Sequence, residues 1–169
     1  GSDSSASTLI DYIRGTDQSG LRERDGNGNG KVDRLGDIVY SRPVYVSERM
    51  GNYRSMTGYN TFTRGRQSQP RLLLVGANDG MLHAFDADTG AELWSYIPSS
   101  LLRYLELLSR ATYTTQYHKY FVNGQIGVED VYVNGAWRTY AMFGLGGGGA
   151  TWTVLDITNR NSPTLVWEV

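Results

Sequence analysis

The sequence predicts an all-β fold of short antiparallel strands, with a short N-terminal helix and a helical insertion near residues 99–110. Three observations predict it. Glycine and tyrosine are abundant, at 21 and 12 of 169 residues, while proline is scarce at 4; this mixture suits aromatic-rich strands joined by tight turns. Short apolar segments alternate with Asn-Asp-Gly, Asp-Thr-Gly and Asn-Gly turns. One segment, an apolar strand, an Asp, a turn and a strand ending in Trp, occurs twice.

Bulk composition narrows the partners. Hydrophobic residues make up 40%, enough for a packed core. Sixteen basic and 17 acidic residues give a net charge of −1, which offers no electrostatic footprint for nucleic acid. The chain has no cysteine, so disulfides and thiolate metal sites are excluded. No apolar run is long enough for a membrane-spanning helix. Gly1-Ser2 reads as a cloning scar, so the natural N-terminus is expected upstream.

In chain order, residues 3–8 are small and polar and are expected to be disordered up to Ser7. Ser7 then caps a short helix with Leu9, Tyr12 and Ile13 on one face, and Gly15 ends it. Residues 16–34 are a polar Gly/Asn-rich loop, so 1–34 is set apart from a strand-rich region at 35–169. Ile38-Val39-Tyr40 and Val44-Tyr45-Val46 read as strands flanking Pro43, which argues for an edge position. Residues 47–69 lack a period and read as a long loop. Arg71–Val75, Met81–Asp86 and Ala91–Ile97 form a meander through two tight turns. Leu101, Leu102, Leu105 and Leu108 then fall at helical spacing behind Ser99 or Ser100 as cap. Val131-Tyr132-Val133 and Trp137-Arg138-Thr139 surround Asn134-Gly135, a hairpin signal. Gly144–Gly149 reads as a wide turn, and Thr151–Asp156 and Thr164–Glu168 as the last strands.

The repeat is Ala84-Phe85-Asp86-Ala87-Asp88-Thr89-Gly90-Ala91-Glu92-Leu93-Trp94 in its short form. Its long form runs from Val154-Leu155-Asp156 through Asn159 and Pro163 to Val166-Trp167. In each, the Asp carboxylate (Asp86, Asp156) is expected to bind turn N–H groups. Gly90 completes the first turn, and the Trp (Trp94, Trp167) packs on a neighbouring sheet. The two tryptophans lie 73 residues apart, whereas a propeller blade takes about 40–50; the helical insertion absorbs the excess. This gives a partial β-propeller with blades at about 37–97 and 115–168. Two blades cannot close a ring, and their open edges invite self-association.

The Ala84–Trp94 stretch resembles the tryptophan-docking motif of quinoprotein propellers. Tyr12–Gly15, Leu35–Val46, Val75–Phe85, Tyr120–Gly124, Trp137–Thr139, Leu155–Thr158 and Leu165–Glu168 resemble, in continuous order, the start of the propeller of the PilC/PilY family. That resemblance implies a non-enzymatic module of type IV pilus biogenesis and adhesion, secreted to the outer membrane, cell surface or pilus tip. It also implies pilus subunits, pilus-tip proteins, and host or abiotic surfaces as partners, a part in twitching motility, and calcium in some members. An integrin-type Arg-Gly-Asp is not reproduced, because Thr16 stands between Arg14-Gly15 and Asp17.

Two candidate sites follow from the residues themselves. Asp25, Asn27, Asn29, Lys31 and Asp33 sit at places 1, 3, 5, 7 and 9 of an EF-hand-like loop, with Gly30 at place 6. Side-chain oxygens and the Lys31 carbonyl could converge on Ca2+. Place 12 is Gly36 where a bidentate Glu would stand, and Asp37 is one place late. A solvated Asn/Gly turn explains the same composition. Arg49, Tyr53, Arg54, Tyr59, Phe62, Arg64 and Arg66 give the 47–69 loop the composition of a recognition surface, set against a mobile surface loop. Glu129 and Asp130 face opposite sides of a strand and read as solvated or turn-stabilising. His83 and His118 are too isolated for a zinc site. No organic cofactor is expected. A piece of a quinone-dependent dehydrogenase and a generic protein-binding propeller are the alternatives.

Overall fold

The structure, a computed structural model, describes residues 3–26, 28–113 and 118–169. Two four-stranded antiparallel sheets carry the fold, each with its strands in sequence order. Sheet one holds β1 (Val44–Val46), β2 (Leu72–Gly76), β3 (Leu82–Asp86) and β4 (Glu92–Tyr96). Sheet two holds β5 (Ile126–Val133), β6 (Ala136–Gly144), β7 (Trp152–Asp156) and β8 (Thr164–Glu168). These are two blades of a propeller. Residue 115, the expected start of blade two, lies outside the described residues.

The blades are built alike because the repeat folds alike. Trp94 pairs with Ala84 across β4 and β3, and Trp167 pairs with Val154 across β8 and β7. The register slips at the same place in both, between Ala84 and Phe85 and between Val154 and Leu155. The Asn134-Gly135 turn has φ of 50° and 78°, both positive as a two-residue hairpin of this twist requires.

Four expectations change. The N-terminal helix α1 spans Asp3–Ile13, so Ser7 lies inside it and not at its cap. It is held from outside: its buried Tyr12 donates its hydroxyl to the Leu108 carbonyl at 3.2 Å. Ile38-Val39-Tyr40 is not a strand, because side chains take the backbone partners a strand would supply. Tyr40 N–H donates to Asn123 Oδ1 at 3.0 Å, and the Gln125 amide donates to the Tyr40 carbonyl at 2.9 Å. The 47–69 loop contains a helix, α2 (Tyr59–Gly65). Leu102 is 57% exposed and leaves the leucine stripe, since the insertion opens as a 3-10 helix (Ser99–Tyr104) before α3 (Leu105–Ser109).

The core lies between the blades. Leu72, Leu74, Leu82 and Ala84 of blade one meet Ile126, Ala141, Phe143 and Leu155 of blade two, with Leu101, Leu105, Leu108 and Phe121 closing one end. This apolar contact is the main attraction between the sheets.

Candidate functional site

Each Asp of the repeat fixes its own corner. Asp86 Oδ1 accepts the N–H groups of Asp88 and Thr89 at 2.8 and 3.0 Å. Those bonds hold its carboxyl below the usual range. Asp156 Oδ1 accepts the Thr158 N–H at 2.8 Å. Gly90 sits in the first turn with φ of 76°.

The tryptophans differ in surroundings. The Trp94 indole N–H donates to the Arg160 carbonyl of blade two at 2.8 Å. Trp167, at the like corner of blade two, is 42% exposed. Arg160 sits in the longer turn of the second repeat, which therefore docks on blade one. Its side chain is fully buried and donates to the carbonyls of Val46 at 2.8 Å, Pro70 at 3.2 Å and Ser47. Burial, and Arg66 nearby, push its pKa down to about 10.

The 47–69 segment is a strap over blade two. Asp130 projects from the inward face of β5 and is buried. Its carboxylate accepts from Arg66 Nη1 at 2.9 Å, Arg66 Nη2 at 3.1 Å, the Tyr59 hydroxyl at 2.7 Å, the Thr139 hydroxyl at 2.7 Å and the Met50 N–H at 2.9 Å. Burial and the Asp130 charge raise the Tyr59 phenol. The reading of Asp130 as solvated is thus overturned: on a strand whose inward positions are apolar, Asp130 faces inward and meets an arginine.

Two of the seven recognition candidates, Tyr59 and Arg66, are buried and belong to this anchor. Arg49 is half-buried against Thr63, and Arg54 and Arg64 are exposed. Tyr53, Tyr59 and Phe62 gather around Trp137 at centroid distances of 5.4, 4.7 and 6.3 Å, with Tyr132 of β5 at 5.4 Å. The Trp137 indole N–H donates to the Thr57 carbonyl at 3.0 Å. The segment is therefore pinned to blade two through the buried Tyr59, Arg66 and Trp137, while Tyr53 and Phe62 are half-buried and Tyr132, Arg54 and Arg64 are exposed. Asp130, Trp137 and Arg160 are the residues that sequence reasoning missed. An acid at an inward strand position was the available signal for the first; none marked Arg160.

The Asp25 loop closes on itself. Asp25 accepts the Asn29 N–H at 2.9 Å and the Gly30 N–H at 2.7 Å through different carboxylate oxygens. The Asp33 N–H donates to the Arg24 carbonyl at 2.8 Å, which brings places 1 and 9 together. Asn29 Oδ1 accepts the Lys31 N–H at 2.8 Å. Asn27 lies outside the described residues. Asp37 is turned to Asn78 Nδ2 and His118 Nε2, both at 2.9 Å. Burial opposes its charge, but these partners outweigh burial and its pKa is lowered. Gly36 cannot be a carboxylate: an added Cβ would stand 2.3 Å from the Asp79 backbone nitrogen. Among the described residues, no three His, Asp or Glu side chains cluster to hold a metal.

A family model described as the PilY1 beta-propeller domain matches residues 35–169. The chain belongs to the PilY1 β-propeller family. A type IV pilus biogenesis factor PilY1 of Pseudomonas aeruginosa strain UCBPP-PA14 is 36% identical over 98% of this chain and 14% of its own length. A PilY1 homolog of Xylella fastidiosa strain Temecula1 is 34% identical, again over 98% of this chain and 14% of its own length. The crystal structure of the Pseudomonas aeruginosa PilY1 C-terminal domain superposes with a TM-score of 0.58 at 30% identity, covering 74% of this chain and 24% of that one. This PilY1-family chain thus spans about a seventh of the curated relatives it matches. The relatives themselves are described as type IV pilus biogenesis factors. No helix among the described residues is long and apolar enough to cross a membrane.

Proposed function

We propose that these two blades belong to a non-enzymatic propeller that acts at the cell surface or pilus tip in pilus biogenesis, attachment and twitching motility. The observation that carries the reading is the strap: the exposed Arg54, Arg64 and Tyr132 stand on a segment and strand held together by the buried aromatic cluster of Tyr59 and Trp137 and anchored by Asp130. Aromatics and arginines are the residue types that dominate protein recognition. Pilus subunits, pilus-tip proteins or a host or abiotic surface are its partners. The test uses the full-length protein in its own cell. Arg54→Glu with Arg64→Glu is expected to lower attachment, and removal of the two blades to lower surface pili and twitching. Wild-type attachment, pilus number and twitching in both variants would refute the reading.

The Asp25 loop is proposed to take one Ca2+ and to order the segment before blade one. Asp25, Asn29, the Lys31 carbonyl and Asp33 would hold it, with Asn27 as a further ligand. Two anionic ligands imply weak affinity. Calorimetric titration with Ca2+ is expected to give heat that Asp25→Ala abolishes; no heat in either protein removes the metal. The dehydrogenase alternative makes an opposite forecast, that the quinone cofactor binds and shows its absorbance. The non-enzymatic reading expects none.

A further inference from the structure

His83 lies on β3 and is 5% exposed. Its Nδ1 is 2.7 Å from Glu92 Oε1, and its Nε2 is 3.0 and 3.1 Å from the two oxygens of Asp79. An ionised carboxylate only accepts, and a neutral imidazole has one N–H to give. Both contacts are hydrogen bonds at once only when the ring is an imidazolium. Phe85 stacks on the ring at 5.9 Å. Burial lowers the histidine pKa, but the two carboxylates outweigh it and the net direction is upward.

The two acids are not equivalent. The Asp79 side chain is 14% exposed and also accepts the Gly36 N–H at 2.7 Å and the Met81 N–H at 3.1 Å. The Glu92 side chain is 46% exposed, and His83 is its hydrogen-bond partner among the described residues. When the ring loses a proton, one acid must lose its donor. The Gly36 and Met81 N–H groups keep Asp79 in place, whereas the half-exposed Glu92 has no other anchor among the described residues and can turn to water, so Glu92 is the one that leaves.

Glu92 and His83 line a cleft of about 480 Å3 between the N-terminal segment and blade one. Ile13, Arg14 and Arg34 stand on one side, and Phe85 and Tyr96 on the other. The charged groups lining this cleft beside His83 are Glu92, Arg14 and Arg34, and Asp79 faces the His83 ring. Neither arginine forms an ion pair with Glu92 among the described residues, so neither holds it once the imidazolium is gone.

We propose that His83 is a protonation-controlled latch, which as imidazolium holds the Glu92 side chain of the neighbouring strand on the blade-one wall of this cleft and on deprotonation releases it. The latch couples solution pH to the position of the Glu92 carboxylate on the blade-one wall of that cleft. A histidine whose folded pKa is raised adds stability that is full below its unfolded value and is lost as pH rises through the folded value.

Two measurements on the whole chain test this. The first follows His83 by NMR. Its ring should titrate above the ordinary histidine value of about 6.5. Its cross-relaxation to the Glu92 methylenes should be strong at low pH and vanish above the folded pKa. The second compares unfolding of the wild type with Glu92→Gln, a change at a half-exposed position that leaves the core intact. The substitution should raise the unfolding constant about threefold at about pH 5.5, in the range of an exposed ion pair, and leave it unchanged at about pH 9. A purely structural Glu92 contact would show the same cost at both pH values. Titration of His83 at or below the ordinary value, or a pH-independent cost, overturns the latch.

Discussion

Replacing Asp130 by alanine tests the strap most directly. Its carboxylate is fully enclosed and takes five hydrogen bonds, two of them from the buried Arg66 guanidinium. Asp130→Ala leaves Arg66 buried without its counter-charge and strands the Met50 N–H, while the Tyr59 hydroxyl keeps the Gly51 carbonyl as its acceptor. Breaking a buried pair from one side costs about 3–5 kcal/mol. For a chain of this length each kcal/mol moves the midpoint by about 2–4 °C, so Tm should fall by about 6–20 °C. Thermal unfolding followed by circular dichroism reads this, and urea titration gives the free energy. Adding Arg66→Met to Asp130→Ala removes the orphaned charge and should recover about 2 kcal/mol, because an apolar replacement of similar volume stands in well for a buried pair. A solvent-screened bridge would cost less than about 1 kcal/mol. A loss that small, or no recovery in the double variant, refutes the account of Asp130 as the anchor of the strap.

Two further outcomes follow from the repeat. Trp94→Phe removes the indole donor to the Arg160 carbonyl and should cost about 0.5–1.5 kcal/mol in urea unfolding, whereas Trp167→Phe, at the exposed like corner, should change stability by less than about 0.5 kcal/mol; equal costs would show that the interblade bond contributes nothing. Asp86 has its carboxyl lowered by the turn N–H groups, so its contribution is present above the ordinary aspartate range and disappears as pH falls through its folded pKa. The stability gap between wild type and Asp86→Ala should therefore narrow on acidification, and a gap constant down to the acid limit would contradict this.

The repeat was legible because turn chemistry and strand alternation are local. Asp86 and Asp156 do bind the N–H groups of their own turns, and Asn134-Gly135 does adopt the positive φ pair that its hairpin needs. The errors share one cause. Ile38-Val39-Tyr40 has strand composition, but Asn123 and Gln125, more than 80 positions away, take its backbone groups. Ser7 has cap chemistry, but the helix begins earlier, at Asp3, and it is tied to the rest of the fold through Tyr12 on Leu108. Tyr59 and Arg66 have the composition of a sticky loop, yet Asp130 draws them inward. Composition alone could not say which arginines would stay outside.

The amino-acid order by itself determined the eight strands of the two sheets, the two-fold repeat, three of the four leucines of the packing face and the family, since each is written in spacings of a few residues or in one continuous run of motifs. Only the tertiary structure decided which charges are buried: Asp130 with Arg66, Arg160 among carbonyls of blade one, and His83 between Asp79 and Glu92. Burial of a charge depends on partners brought from distant parts of the chain. Such partners leave no periodic trace, because their cost in low dielectric is offset by geometry and not by local sequence.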